Sequence, residues 1–246
     1  MEKILFAVDA TPINKQTLYF ACYLADITNS KLVAIFPENV VCEQNIQSFE
    51  AVCAGRHIIP YIHRNTVDPV NEIFKETRFA DLLIVDSQLP GLDKENSVLP
   101  GFVKEILAKS ECPVVIAPPD FTDIEEIVFA YDGSASSVFA IKQFSYLFPG
   151  LSDCRLMILQ VNAKENVPVI ESQKIGELLQ MHYSAIGYHY LQGKASEELY
   201  KYLVNKKNTF IVMGAFGRNQ LSVFLKQSAA ELLIKKVNLP LFIAHH

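Results

Sequence analysis

The sequence predicts an α/β protein made of two consecutive units, each a doubly wound, five-stranded parallel sheet. Three observations predict it: an internal repeat, apolar runs of strand length that do not alternate, and helical apolar spacing between those runs. The repeat carries the most weight. Lys3-Ile4-Leu5-Phe6-Ala7-Val8-Asp9 returns as Glu126-Ile127-Val128-Phe129-Ala130-Tyr131-Asp132, at an offset of 123 residues. Ala80 to Asp86 lines up with Lys207 to Met213, and Cys112 to Ala117 with Leu239 to Ala244, both at an offset of 127. Three blocks that agree in order and spacing, with a drift of four residues, describe one duplicated unit and one short insertion.

Within the first copy, strands are expected near 3–9, 31–36, 58–64, 81–86 and 113–117. In the second they are expected near 126–132, 155–161, 186–191, 209–214 and 240–244. Because the runs are apolar at every position, both faces of each sheet should be covered by helices, as in parallel sheets. The segment after the first strand of copy one carries Leu18, Ala21, Cys22, Leu24 and Ala25, and its counterpart carries Phe139, Ile141, Phe144, Leu147 and Phe148. Both spacings are helical. Asp68-Pro69 supplies a cap followed by Pro at a first helical position, and Ser196-Glu197-Glu198 puts acids where a helix N-terminus is positive. Pro118 to Asp123 reads as a linker, giving units 1–120 and 121–246.

Composition narrows the function classes. Of 246 residues, half are apolar and a fifth charged, which excludes a disordered chain. The net charge of −5 argues against nucleic acid or an anionic membrane as a partner. The chain opens on a strand-like run instead of a signal peptide, and no apolar stretch is long enough to span a bilayer. Cys22, Cys42, Cys53, Cys112 and Cys154 are odd in number and scattered, the pattern of reduced thiols in a cytoplasmic protein. Cys42, Cys53, His57 and His63 have none of the paired spacing of a zinc site, and the two cysteines read as small core residues. His182 and His189, among Tyr183, Tyr188 and Tyr190, read as half-buried packing.

In a doubly wound sheet ligands bind beyond the carboxyl ends of the strands, where the strand order switches. The turns after the first and fourth strands of each copy are therefore the candidate sites. In copy two the first strand ends Asp132-Gly133-Ser134, a carboxylate and a hydroxyl about a turn-forming glycine. The same two groups also suit a helix cap. The fourth strand runs into Gly214-Ala215-Phe216-Gly217-Arg218, and Gln227-Ser228-Ala229 opens the helix that should follow. Glycines after a strand let backbone N–H groups approach a phosphate, and a helix N-terminus adds positive potential. The Gly-x-Ser-x-Gly elbow, the phosphate loop ending in Gly-Lys-Ser/Thr and the Gly-x-Gly-x-x-Gly fingerprint are all absent, so no nucleophile or transfer chemistry is indicated.

These residues resemble those of the universal stress proteins, and the duplicated pattern resembles their tandem members. That family carries Gly, two residues, Gly, nine residues and Gly-Ser/Thr after the fourth strand, with Asp closing the first. Asp132, Gly214, Gly217 and Ser228 match, and Gln227 stands at the third glycine. The resemblance implies a Rossmann-like fold of the adenine nucleotide alpha hydrolase type, with the two units paired through their last strands as an intrachain pseudo-dimer. It implies a regulatory stress-response protein without robust catalysis, at most a slow ATPase. It further implies ATP, ADP or AMP with Mg²⁺ at Asp132, Gly133, Ser134, Gly214, Gly217, Arg218, Gln227, Ser228 and Ala229, adenine beside Val161, and a homodimer. In copy one the corresponding positions are Ser87, Pro90 and Pro100-Gly101. Proline has no N–H to donate, so the first copy reads as a degenerate, structural half. The alternative is an interaction module that has abandoned nucleotide in both copies.

Overall fold

The computed structural model describes residues 1–7, 13–37, 43–65, 69–86, 101–162, 171–214, 233 and 236–244. The chain divides into two compact units, Met1–Phe121 and Thr122–His246. In the first, strands β1 (Lys3–Ala7), β2 (Lys31–Pro37), β3 (Pro60–Asn65), β4 (Leu82–Asp86) and β5 (Val114–Ala117) alternate with helices α1 (Lys15–Thr28), α2 (Glu43–Gly55), α3 (Pro69–Glu76) and α4 (Gly101–Lys109). Its strands run in the order β3-β2-β1-β4-β5, all neighbours parallel. In the second, β6 (Glu126–Ala130), α5 (Ala135–Leu147), β7 (Arg155–Asn162), α6 (Ser172–Gln180), β8 (Ile186–Gln192), α7 (Ala195–Leu203), β9 (Thr209–Gly214) and β10 (Leu241–Ala244) follow. Their strand order is β8-β7-β6-β9-β10, again parallel.

The unbroken apolar runs are buried at consecutive positions: Ile4, Leu5, Phe6 and Ala7 in β1, and Ile127, Val128 and Phe129 in β6. Consecutive side chains of a strand point to opposite faces, so both faces of these strands are covered. Local chemistry sets the helix ends. The Asn14 side chain accepts the Gln16 N–H at 2.9 Å to start α1, and Asn29 ends it in the left-handed region. Pro69 is the first residue of α3, and Glu197 and Glu198 lie in the first turn of α7. Asp68 lies outside the described residues.

The outermost strand of the second unit departs from the expected half-buried packing. In β8, Tyr188, His189 and Tyr190 are all exposed, because among the described residues of the unit only β7 pairs with this strand. The His189 ring instead lies 5.0 Å from that of Tyr202 on α7, and His182 meets Tyr146 at 5.3 Å.

Phe144 is the hub of the second core. From α5 it meets Phe129 at 5.8 Å, Phe148 at 4.9 Å, Phe210 at 4.9 Å and Phe242 at 5.3 Å, mostly edge to face. It thereby joins β6, β9 and β10 to one helix. Edge-to-face rings gain quadrupole attraction beyond the area they bury.

At the opposite end of each sheet from the strand carboxyl termini, an ion pair ties the first strand to the end of the third helix or to the turn just after it. In the first unit Lys3 pairs with Glu76, which also faces His63 Nδ1 at 3.5 Å. In the second the charges are exchanged. Buried Glu126 accepts from Lys206 Nζ at 2.8 Å and Thr209 Oγ1 at 3.3 Å, with Arg155 Nε at 3.5 Å. Partial burial pushes the Lys206 ammonium down, but the hydrogen bond and charge of Glu126 outweigh it and hold the pKa above the ordinary lysine value.

Two stability predictions follow from this packing. Phe144→Ala should cost about 3–5 kcal/mol, read from urea unfolding. Because Lys206 is raised in the folded state, its contribution is complete below the unfolded lysine pKa and is lost as pH rises through the folded value. Between those limits the native chain should therefore lose stability more steeply than Glu126→Gln, measured by denaturation at a series of alkaline pH values.

Candidate functional site in the second unit

The strand order reverses between β6 and β9. Chain progress from β6 runs outward to β7 and β8, then returns to the far side of β6 for β9 and β10. Met213 is the register partner of Ala130, Gly214 that of Ala244, and Leu159 that of Ala130 on the other side. The carboxyl ends of β6, β7 and β9 therefore open on one edge of this unit. It is the edge at which doubly wound sheets hold ligands. Asp132, Gly133 and Ser134 follow β6, Val161 is the penultimate residue of β7, and Gly214 ends β9. The other predicted residues, Gly217, Arg218, Gln227, Ser228 and Ala229, lie outside the described residues.

The Asp132-Gly133-Ser134 turn has a defined internal geometry. Gly133 has φ of 77°, which a side chain would strain. The Asp132 carboxylate accepts the Ser134 N–H at 2.9 Å through Oδ1. Ser134 is the N-cap of α5: its Oγ accepts the Ser137 N–H at 3.1 Å, and Ser137 Oγ donates to the Ser134 carbonyl at 2.9 Å. Both polar side chains thus shape the turn and start the helix, while Asp132 remains exposed. No acid occupies the first turn of α5, so its N-terminal potential is not cancelled from within.

Gly214 has a more stringent reason to be glycine than phosphate access alone. A Cβ there would lie 2.4 Å from the Ser136 carbonyl carbon, 2.5 Å from its oxygen and 2.5 Å from the Ser137 nitrogen. The first turn of α5 presses directly on the end of β9. In the first unit a side-chain hydrogen bond joins the first helix to the end of the fourth strand. Asp86, at the end of β4, accepts a hydrogen bond from Thr17 Oγ1 of α1 at 3.1 Å. Asp9, Ser87, Pro90 and Pro100 of that unit lie outside the described residues, and Gly101 begins α4.

Further residues join the site that its motif does not name. Tyr131 is buried, and burial pushes its phenol pKa up, with the Glu171 and Asp132 carboxylates adding to the effect. Both carboxylates therefore lie near this ring. Glu171 pairs with Lys174 at 2.6 Å, so the rim carries two acids and one lysine. The repeat held a signal for Tyr131, since copy one has Val8 at the same place. Beside Val161, buried Gln160 donates through Nε2 to Asn162 Oδ1 at 2.6 Å, fixing the end of β7.

Among the described residues no group of three or more His, Cys, Asp or Glu side chains is arranged to hold a metal ion. Cys53 is buried and Cys42 lies outside the described residues. No described helix is long and apolar enough to cross a membrane.

The close approach at Gly214 gives a direct test. Gly214→Ala must push backbone against backbone and should destabilise the chain by roughly 1–3 kcal/mol. Thermal unfolding would check this. An unchanged melting temperature would show that α5 can move away from β9.

No protein-family model matches the chain. A universal stress protein of Synechocystis, Slr1230, is 25% identical over 140 residues, a match spanning 56% of this chain and 48% of that protein. The chain thus covers about half the length of this relative. A universal stress protein from Archaeoglobus fulgidus superposes with a TM-score of 0.74 over 99% of this chain and 98% of its own, at 16% identity. A protein of unknown function from Pseudomonas aeruginosa PAO1, PA1789, gives 0.68 over 100% and 92%, at 15% identity. The chain has the fold of the universal stress proteins and a sequence relative among them.

Proposed function

We propose that the second unit binds an adenine nucleotide or a related phosphate-bearing anion, and that the protein acts by binding in regulation, without a robust catalytic step. The observation that carries this reading is the convergence of Asp132, Ser134 and Gly214 on the switch edge, beside the N-terminus of α5, whose first turn carries no acid. Asp132 is the residue suited to a Mg²⁺ carried in with phosphates. It is exposed, and its hydrogen bond to Ser134 uses one carboxylate oxygen. Bound Mg²⁺ would supply charge neutralisation between this acid and the phosphate. The two acids of the rim, Asp132 and Glu171, oppose a bare phosphate, which favours a metal-assisted mode over a free anion. Val161 would flank the base, and Gly217, Arg218, Gln227, Ser228 and Ala229 would complete the phosphate side.

In this reading the first unit, 1–120, is a structural half and 121–246 the binding half. The terminal strands β5 and β10 are the edges through which the units pair, with a homodimer as the larger assembly. The family resemblance is the support for that arrangement.

A second reading, an interaction module that needs no nucleotide, draws on one observation: Asp132 and Ser134 are already engaged in the turn and cap of α5. Calorimetry separates the two. ATP, ADP or AMP with Mg²⁺ should bind more tightly than roughly 1 mM. No heat from any of the three would leave the interaction module standing. Asp132→Asn keeps an oxygen for the Ser134 N–H while removing the charge. It should leave the melting temperature unchanged and weaken Mg²⁺-dependent binding roughly tenfold, about 1.4 kcal/mol.

A further inference from the structure

The first unit contains a pair of thiols in contact. Cys22, in the middle of α1, and Cys53, in the last turn of α2, approach to 3.8 Å between their sulfurs although they stand 31 residues apart. Both side chains are fully buried. Two small apolar-like side chains can meet this way by packing alone. Their surroundings, however, are not symmetric.

The two sulfurs share one S–H···S contact, in which either can donate, and this contact favours a thiolate at Cys22 against the cost of its burial, with the Arg56 guanidinium adding to the effect. Cys53 is pushed the opposite way by Cys22 and by burial. Its place near the C-terminal, negative end of α2 acts in the same direction. The Arg56 charge acting on Cys22 makes that sulfur the one suited to attack first, with Cys53 following in a second step. The remaining described thiols differ. Burial pushes Cys112 up to about 12, and Cys154 is also raised, chiefly by burial, while its S–H donates to the Ile124 carbonyl at 3.4 Å.

A route to the pair is at hand. An open groove of about 810 Å³ runs between α1 and α2, lined by Lys15, Tyr19, Ser48, Val52, Gly55 and Arg56 among others. Tyr19 is one helical turn before Cys22, Val52 is next to Cys53, and Arg56 is one turn beyond it. The Arg56 guanidinium lies 5.5 Å from the Tyr19 ring centre, bridging the two helices at the groove. Neither sulfur lines the groove, so a peroxide would reach the pair from it only when α1 and α2 part.

We propose that Cys22 and Cys53 form a reversible dithiol–disulfide site that is oxidised by a small hydroperoxide. The Cys22 thiolate attacks one oxygen of hydrogen peroxide. The O–O bond breaks, the departing hydroxide takes up the thiol proton as water, and Cys22 becomes a sulfenic acid. The Cys53 sulfur then attacks the Cys22 sulfur, the S–O bond breaks, and the hydroxyl leaves with the Cys53 proton as a second water. Two thiols are oxidised to one disulfide and one peroxide is reduced to two waters. The bond would pin α1 to α2 and close the chain between them.

The test uses the full chain. It is treated under native conditions with a small molar excess of hydrogen peroxide, denatured without reductant, alkylated with iodoacetamide and digested for mass spectrometry. The expected product is a peptide pair joined through Cys22 and Cys53, lighter by two hydrogens and released by dithiothreitol. It should form before Cys112 or Cys154 is modified. Full alkylation of Cys22 and Cys53 after Cys154 has been oxidised would overturn the proposal, as would a bond from either to another cysteine. In Cys53→Ser, with its fold checked by circular dichroism, the reaction should stop at Cys22 sulfenic acid, trapped by dimedone. A folded variant with no adduct at Cys22 would count equally against it.

Discussion

The approach of α5 to the end of β9 is the contact on which the second unit is organised. Backbone meets backbone there, with no room for even a methyl group on Gly214. That closeness fixes where α5 begins, and hence where Ser134 must turn the chain and where Asp132 must stand to hold the turn. It also brings Phe144 down onto Phe210 and Phe242, so the aromatic core and the switch edge are consequences of one spacing. Close-packed interiors transmit such a constraint over several turns of helix.

Much of this is legible in the amino-acid sequence. Strands buried on both faces must be apolar at every position, so the runs Ile4 to Ala7 and Ile127 to Phe129 announce parallel sheets directly. The repeat then supplies the order of elements. The motif is harder to read because one residue type serves two purposes. Gly214 matches a phosphate-loop pattern, yet its immediate demand is the backbone of Ser136. Ser134 and Asp132 likewise satisfy the helix start before any ligand. Sequence spacing records that a small or polar residue is needed, not which neighbour needs it.

Other features depend on contacts between distant segments and leave no local trace. Cys22 and Cys53 each look like an ordinary apolar helix position. Their meeting follows from how α1 lies against α2, which periodicity does not encode. The exposed β8 reads as half-buried from its alternating Tyr and His residues, because a sequence does not say which strand ends a sheet. Tyr131 is the exception: it stands where the other copy has Val8, a difference visible in the aligned repeat.

Two similar units in one chain face a hazard that unlike domains avoid, since a strand of one can dock in the frame of the other during folding. The exchanged ion pairs act against this. If β1 took the place of β6, Lys3 would lie beside Lys206, and in the reciprocal error Glu126 would meet Glu76. Like charges in these partly buried positions repel where the correct partners attract. The swap of sign at one corner of the repeat therefore gives each first strand an address, and a duplicated sequence can fold as two distinct objects.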